Sequence, residues 1–358
     1  MSRILKTLIR PTTYPSNRYS LVLGIETSCD ETAVGVVRYP KLTAVANVLN
    51  TQIPLHAPFF GVVPELASRA HLENITGVLS LAFKKALLGD LVSLGRLEAV
   101  AYTQGPGLKG ALMVGENAAK ALALALGRPA IGVHHLEAHL AAILLEKPQV
   151  TPPFLGLVVS GGHTDLVHVK RWGSYRVLGR TLDDACGEAF DKFAKMLRLG
   201  YPGGPAVDRL AKKGNPRAII FPRPVLKGTW NFSFSGLKTS ALYWIRDHGR
   251  PRSRQGLCDL AAGFQEAIVE TLLTKTRNAL SALRLNTVVV AGGVGANSRL
   301  RELFQESARQ QGWLAYFPSP ALCTDNGAMI AVAGALRLMS GAKLSSRNAD
   351  SLLPFPSW

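Results

Sequence analysis

The stretch LVLGIETSCDETAVGVV, residues 21–37, decides the fold. An apolar run, a small polar turn and a second apolar run read as a β-hairpin. The same layout returns in LGLVVSGGHTDLVHV, residues 155–169. Each turn carries hydroxyls, small residues and an acid, a composition that brings backbone N–H groups and hydroxyls against phosphate oxygens. Using the device twice predicts two lobes facing one nucleotide.

Outward from the hairpins, strands followed by helices recur in both halves. The first half predicts a strand near residues 43–49, a helix at 63–87, a strand at 99–103, a helix at 111–126, a short strand at 131–133 and a helix at 134–145. Residues 148–153 form a linker. The second half predicts helices near 187–197 and through Ala211, an exposed basic loop at 214–229 and a long helix at 257–283. A buried parallel strand follows at 287–291, where β-branched residues run without alternation. Helices then start at Ser298 and at Gly327. The pattern is α/β with an internal duplication. It predicts a separate segment at 1–20, a first lobe at 21–150 with the last helix, about 327–340, packed back on it, and a second lobe at 151–326.

The 358 residues are 47% hydrophobic and 18% charged, as in a compact globular chain. No apolar run is long enough to span a bilayer. Four cysteines, Cys29, Cys186, Cys258 and Cys323, lie scattered without a C-x-x-C, which argues against a disulfide framework or a zinc finger and favours a reducing compartment. The formal charge of +17 points to an anionic partner. Residues 180–254 hold fifteen Lys/Arg against six Asp/Glu, most sharply at Arg246, Arg250, Arg252 and Arg254. Nucleic acid fits this excess, and a merely solvated basic surface is the alternative. At the N-terminus, Arg3, Lys6 and Arg10 lie opposite Ile4, Leu5, Leu8 and Ile9 at helical spacing, with no acid before Glu26. That is the composition of a mitochondrial targeting peptide.

His135 and His139 share one face of a predicted helix and can ligate one transition metal. Glu137 lies on the other side, so this is not an H-E-x-x-H peptidase site. A pair of satisfied helix histidines is the bland reading. A third ligand must come from far along the chain, and Asp325 before the last helix is a candidate. Gly292–Asn297, GGVGAN, follows a strand and opens a helix, where Asn297 offers donor and acceptor together. Its glycine spacing is not that of a dinucleotide fingerprint. Asp183, Asp184, Glu188 and Asp191 crowd one stretch, a repulsive arrangement unless a ligand, a cation, or Lys192 and Lys195 offset it. Residues 201–205, YPGGP, read as a rigid turn exposing backbone N–H groups, and Asp208 beyond it could accept from ribose hydroxyls. FSFSGLKT, residues 232–239, lacks P-loop spacing and reads as a strand edge running into a helix.

In order, GIETSCDET, GVVPELASR, HHLEAH, VSGGHT, GEAFDK, YPGGP, FSFSGLKT, GGVGAN and DNGAMIA closely resemble the tRNA threonylcarbamoyladenosine (t6A) transferase family, over about residues 21–338. The extension before them resembles that of the family's mitochondrial branch. The resemblance implies the actin/hsp70/sugar-kinase fold with a nucleotide cleft between the lobes. It implies transfer of threonylcarbamoyl from threonylcarbamoyl-AMP, supplied by a separate synthase, to N6 of the adenosine 3′ of the anticodon. The tRNAs would be those reading codons that begin with A. It implies one divalent ion per subunit, Fe or Zn, on His135, His139 and Asp325. Val159, Ser160, Gly161 and Gly162 would contact the activated donor. Asp191, Gly204, Asp208 and Asn297 match nucleoside-binding positions, and Ser28, Asp30 and Glu31 match the first phosphate-side loop. A homodimer in the mitochondrial matrix, with no membrane attachment, is the expected setting. One departure stands out: the family has Tyr-Gly-Gly where this chain has Phe59-Phe60-Gly61, and Phe60 cannot adopt φ > 0 cheaply.

The adenine amine is a poor nucleophile and needs a base as the bond forms; Asp30 or Glu31 could serve. The competing readings are a sugar kinase or ATPase of the same fold, a metallopeptidase, and a non-catalytic RNA-binding module.

Overall fold

The computed structural model describes residues 19–89 and 91–340. The basic segment read as a targeting peptide lies outside them, apart from Tyr19 and Ser20. Among the described residues the chain forms two compact α/β units. Of the described residues, one unit holds those up to Thr51, Pro64–Ala138 and residues 326–340; the other holds Gln52–Val63 and His139–Asp325.

In the first unit, β1 (Ser20–Glu26), β2 (Glu31–Tyr39), β3 (Thr43–Thr51), β4 (Leu97–Gly105) and β5 (Ala130–His134) form one sheet in the order β3-β2-β1-β4-β5. The β1–β2 and β2–β3 pairs are antiparallel; β1–β4 and β4–β5 are parallel. Strand β1 is apolar from Leu21 to Ile25 because both faces are covered. On one face, α1 (Pro64–Lys85) and α2 (Lys109–Leu126) bring Ile75, Val78, Ala82, Ala119 and Ala123 against Leu21, Leu23 and Ile25. On the other lies α9 (Gly327–Met339), so near the sheet that a Cβ on Gly327 would fall 2.1 Å from the Gly35 nitrogen. The small residues that open α9 permit this backbone contact.

The second unit repeats the plan. Strands β6 (Phe154–Val159), β7 (Thr164–Arg171), β8 (Ser174–Arg180), β9 (Thr287–Ala291) and β10 (Leu314–Tyr316) run β10-β9-β6-β7-β8. Hairpin pairs are again antiparallel, and β6–β9 and β9–β10 are parallel. Strand for strand this is the first sheet's topology, which is the predicted duplication. Helices α4 (Cys186–Met196), α5 (Gly203–Ala211), α6 (Ser235–His248), α7 (Arg254–Leu283) and α8 (Ser298–Gln311) complete it. Its core centres on Phe264 of α7, stacked on Phe193 at 3.9 Å between centroids and edge-on to Phe190 and Phe221.

Two strands escaped the sequence reading. β8 buries only Tyr175 and Gly179 fully, and β10 is three residues long with none buried, so neither shows an apolar period. The helix expected at 134–145 is instead the end of β5 at His134, helix α3 (His135–Ala141) and a 3-10 turn at Ala142–Leu145. Of the turn expected at 201–205, Tyr201 and Pro202 form a bend and residues 203–205 open α5.

Candidate metal centre and nucleotide loops

Helix α3 sets the spacing of His135 and His139, one turn apart on one face. Asp325 directly precedes Asn326, whose side chain accepts the Met329 N–H and caps α9. His139 Nε2 lies 3.0 Å from Asp325 Oδ1. Each of the three residues offers a ligand atom, and these atoms all lie within 4.8 Å of one another. Both histidines are buried and Asp325 partly so.

The donor set suits a divalent transition ion. Glu26, fully buried at the end of β1, places Oε2 3.0 Å from His135 Nδ1. A carboxylate there fixes the tautomer, with the proton on Nδ1 and the Nε2 lone pair left for a metal. The same carboxylate accepts the Thr103 hydroxyl at 2.6 Å and the Ser28 N–H. Two nitrogens and one carboxylate oxygen match Fe or Zn and not Ca or Mg, which prefer oxygen shells. Glu137 is paired with Arg337 at 3.3 Å, so it serves structure and not peptide hydrolysis.

Ser28 is buried beside this group, its Oγ 3.3 Å from His135 Nδ1 and its carbonyl accepting the Leu108 N–H. Serine and glutamate thus address the same ring nitrogen. A hydrolytic triad needs them on opposite nitrogens. Downstream in the turn, Asp30 is partly exposed, and no hydrogen bond or ion pair of its carboxylate occurs among the described residues. Glu31 starts β2 and accepts the Thr51 hydroxyl at 3.2 Å. The turn is pinned by buried His71 of α1, with Nδ1 2.8 Å from Thr32 Oγ1 and Nε2 3.0 Å from the Cys29 carbonyl.

In the second unit, the residues expected to hold the donor form a closed circuit of contacts. The Ser160 carbonyl accepts the Gly187 N–H at the start of α4. One turn on, Asp191 accepts the Gly203 N–H at 2.7 Å, next to Gly204 in α5. Asp208 of α5 accepts the Ser298 N–H and hydroxyl, the latter at 2.7 Å. Asn297 caps α8 through the Leu300 N–H and donates to Gln265 at 2.7 Å. Gly292 closes the circuit: at φ +91°, a Cβ there would stand 2.4 Å from the Val159 carbonyl oxygen. Gly161 and Gly162 stay exposed at the hairpin tip. A hollow of about 550 Å³ adjoins Ser298, walled by Lys212, Gln265, Glu266 and Arg299. That volume lies in the range of small-ligand pockets.

The acidic cluster does not act as one group. Lys192 bridges Asp184 and Glu188, and Lys238 adds a second cation to Asp184. Asp183 turns to Ser233 and Ser235, and Asp191 to Gly203. Lys195, expected to help offset the acids, lies over the Phe60 ring instead. Sequence reasoning assigned no role to Glu26 or His71. The signal for Glu26 is an acid inside an otherwise apolar strand, a residue type almost never fully buried without a partner.

A family model described as tRNA N6-adenosine threonylcarbamoyltransferase matches residues 43–332. A protein of that name from Syntrophotalea carbinolica is 50% identical over 322 residues, covering 90% of this chain and 92% of its own. Another from Anaeromyxobacter sp. (strain Fw109-5) is 50% identical over 340 residues, covering 94% and 99%. Among solved structures, a full-length HypF in a phosphate- and nucleotide-bound form aligns with a TM-score of 0.60 at 16% identity, over 91% of this chain and 56% of that one. The (R)-2-hydroxyglutaryl-CoA dehydratase component A of Acidaminococcus fermentans aligns at 0.52 and 14% identity, over 87% and 96%. These distant likenesses show the fold alone, and it is the actin/hsp70/sugar-kinase fold.

Proposed function

The chain belongs to the tRNA N6-adenosine threonylcarbamoyltransferase family, and from that premise we propose that it forms t6A in mitochondrial tRNAs, with threonylcarbamoyl-AMP as donor. The observation that carries the proposal is the convergence of His135, His139 and Asp325, with Glu26 orienting His135.

The reaction joins N6 of the adenosine 3′ of the anticodon, in tRNAs reading codons that begin with A, to the carbamoyl carbonyl carbon. The bond from that carbon to the phosphate oxygen breaks, AMP leaves, and N6 gives up one proton. The donor is already activated, so the protein mainly positions it and stabilises charge. Exposed Gly161 and Gly162 present backbone to the donor beside Ser160. The circuit through Asp191, Gly204, Asp208 and Asn297 grips its nucleoside. Asp30 is the base, because its carboxylate is accessible and uncommitted whereas Glu31 receives the Thr51 hydroxyl. A divalent ion held by His135, His139 and Asp325 supplies Lewis acidity and an anchor for the threonylcarbamoyl group when bound.

We place the enzyme in the mitochondrial matrix as a homodimer, on the composition of residues 1–20 and the branch it resembles; a fluorescent protein carrying those residues should enter mitochondria. The activity test combines the protein, threonylcarbamoyl-AMP and unmodified tRNA, followed by digestion to nucleosides and mass spectrometry. The wild type should yield t6A and His139→Ala none. Full product from that variant removes the triad from the mechanism.

A further inference from the structure

We propose that Phe59 and Phe60 form a stacking platform for an unpaired nucleobase of the RNA substrate. This rests on the RNA-modifying function proposed above. Phe60 caps the 3-10 turn Ala57–Phe59 with φ 56° and ψ 32°, its N–H bonded to the Ala57 carbonyl. A phenylalanine pays for the left-handed region where glycine would not. Burial does not repay the strain, since Phe60 is 46% exposed, Phe59 56% and Leu55 42%. Strain that the fold itself does not use points outward, to a ligand.

The rings are displayed on a rigid mount. Fully buried His56 accepts the Val63 N–H at Nδ1, which leaves Nε2–H to donate to Gln52. One side chain thereby ties both ends of the segment Gln52–Val63. The charge beside the rings selects the class of partner. Lys195 Nζ, exposed near the end of α4, stands 5.4 Å from the Phe60 centroid. Exposed rings with a cation beside them fit a base with its phosphate, the pairing used by single-strand binders. A purely apolar protein surface would leave Lys195 unmatched.

The test uses the full chain with Phe59→Ala, Phe60→Gly, the double variant and Phe60→Trp. Affinity for labelled unmodified tRNA is read by fluorescence anisotropy, and t6A formation is followed at varied tRNA. Loss of stacking should weaken tRNA binding and raise its KM about 10-fold in the double variant. KM for threonylcarbamoyl-AMP and kcat at saturating tRNA should hold, Phe60→Trp should bind as the wild type, and Phe60→Gly should melt no lower. A double variant that binds tRNA within twofold of the wild type overturns the proposal. So does loss of self-association at unchanged tRNA affinity, which would assign the patch to a second copy of the chain. The anisotropy needs no chemistry. A wild type that binds tRNA through these rings but makes no t6A would sink the functional reading and leave the platform standing.

Discussion

Glu26 holds His135 by one nitrogen and thereby decides what the other can do. Replacing it with Gln keeps the shape but removes the charge that favours an Nδ1 proton. Metal affinity, read by titration into the apo protein, should fall roughly 10- to 100-fold. Neither this contact nor the one from His71 to Thr32 was legible in the sequence. The partners lie 109 and 39 residues apart, and no spacing rule joins them. The histidine pair was legible because one helical turn separates its members. Asp165 in β7 makes a different prediction. Burial raises its carboxyl to about 6, and Arg180 only partly opposes this. A pKa higher in the folded than in the unfolded chain means that the folded state holds the proton more tightly. Stability therefore falls as pH rises from about 4 to about 6 and stays low above that. Asp165→Asn removes the buried charge. It should stabilise the protein at pH 7.5 by up to about 3 kcal/mol, an advantage that shrinks toward pH 4.5. Thermal melts of both proteins across that range check the sign.

Helix α6 shows how an element gains its start from a distant acid. Its N-cap residue is Phe234, which has no side-chain acceptor, and Asp183 fills the role from 51 residues away. Partial burial opposes its charge. The hydroxyls of Ser233 and Ser235 and the N–H groups of Phe234 and Ser235 outweigh that and hold the carboxyl below its ordinary range. The stabilisation is present above the normal carboxylate range and is lost as pH falls through it. Asp183→Ala should cost about 1–2 kcal/mol at neutral pH, read from the urea midpoint. The loop after β9 offers a sharper test. Gly292→Ala places a Cβ against the Val159 carbonyl in a left-handed backbone, so β9 and the 159–162 turn must part. Binding of threonylcarbamoyl-AMP should drop by at least tenfold, by calorimetry, an effect of roughly 1.4 kcal/mol or more. At this scale the sequence was most informative where a period was complete. β1, β6, β9 and α7 are buried on nearly every side or along a long stripe, and their patterns announced them. β8 and β10 lie at or near a sheet edge with half-exposed residues, so no pattern marked them.

At the scale of the whole chain, two sheets of one topology explain the twofold use of the hairpin, and the excess of cations decides what else the protein meets. The charge is not evenly committed. Lys192, Lys238 and Arg299 are spent on internal carboxylates. Arg223 is paired with Glu270, and Lys275 is turned inward to the carbonyls of Leu226 and Thr229, tying the basic loop to α7. Around the end of α6, by contrast, Arg246 pairs with exposed Asp247 at 2.7 Å and lies over the exposed Tyr243 ring, and Arg250, Arg252 and Arg254 follow within one short stretch. An exposed pair of that kind contributes little and is screened by salt, so the cluster keeps most of its field. If it tracks a phosphate backbone, each cation lost removes a share of counterion release. Replacing all four arginines with Gln should then flatten the plot of log affinity for unmodified tRNA against log salt by about 2–3 units, and should weaken binding far more at 50 mM than at 200 mM salt. Affinity for threonylcarbamoyl-AMP should not move. An unchanged salt slope would mean that these arginines only solvate the surface and that the RNA lies elsewhere on the protein.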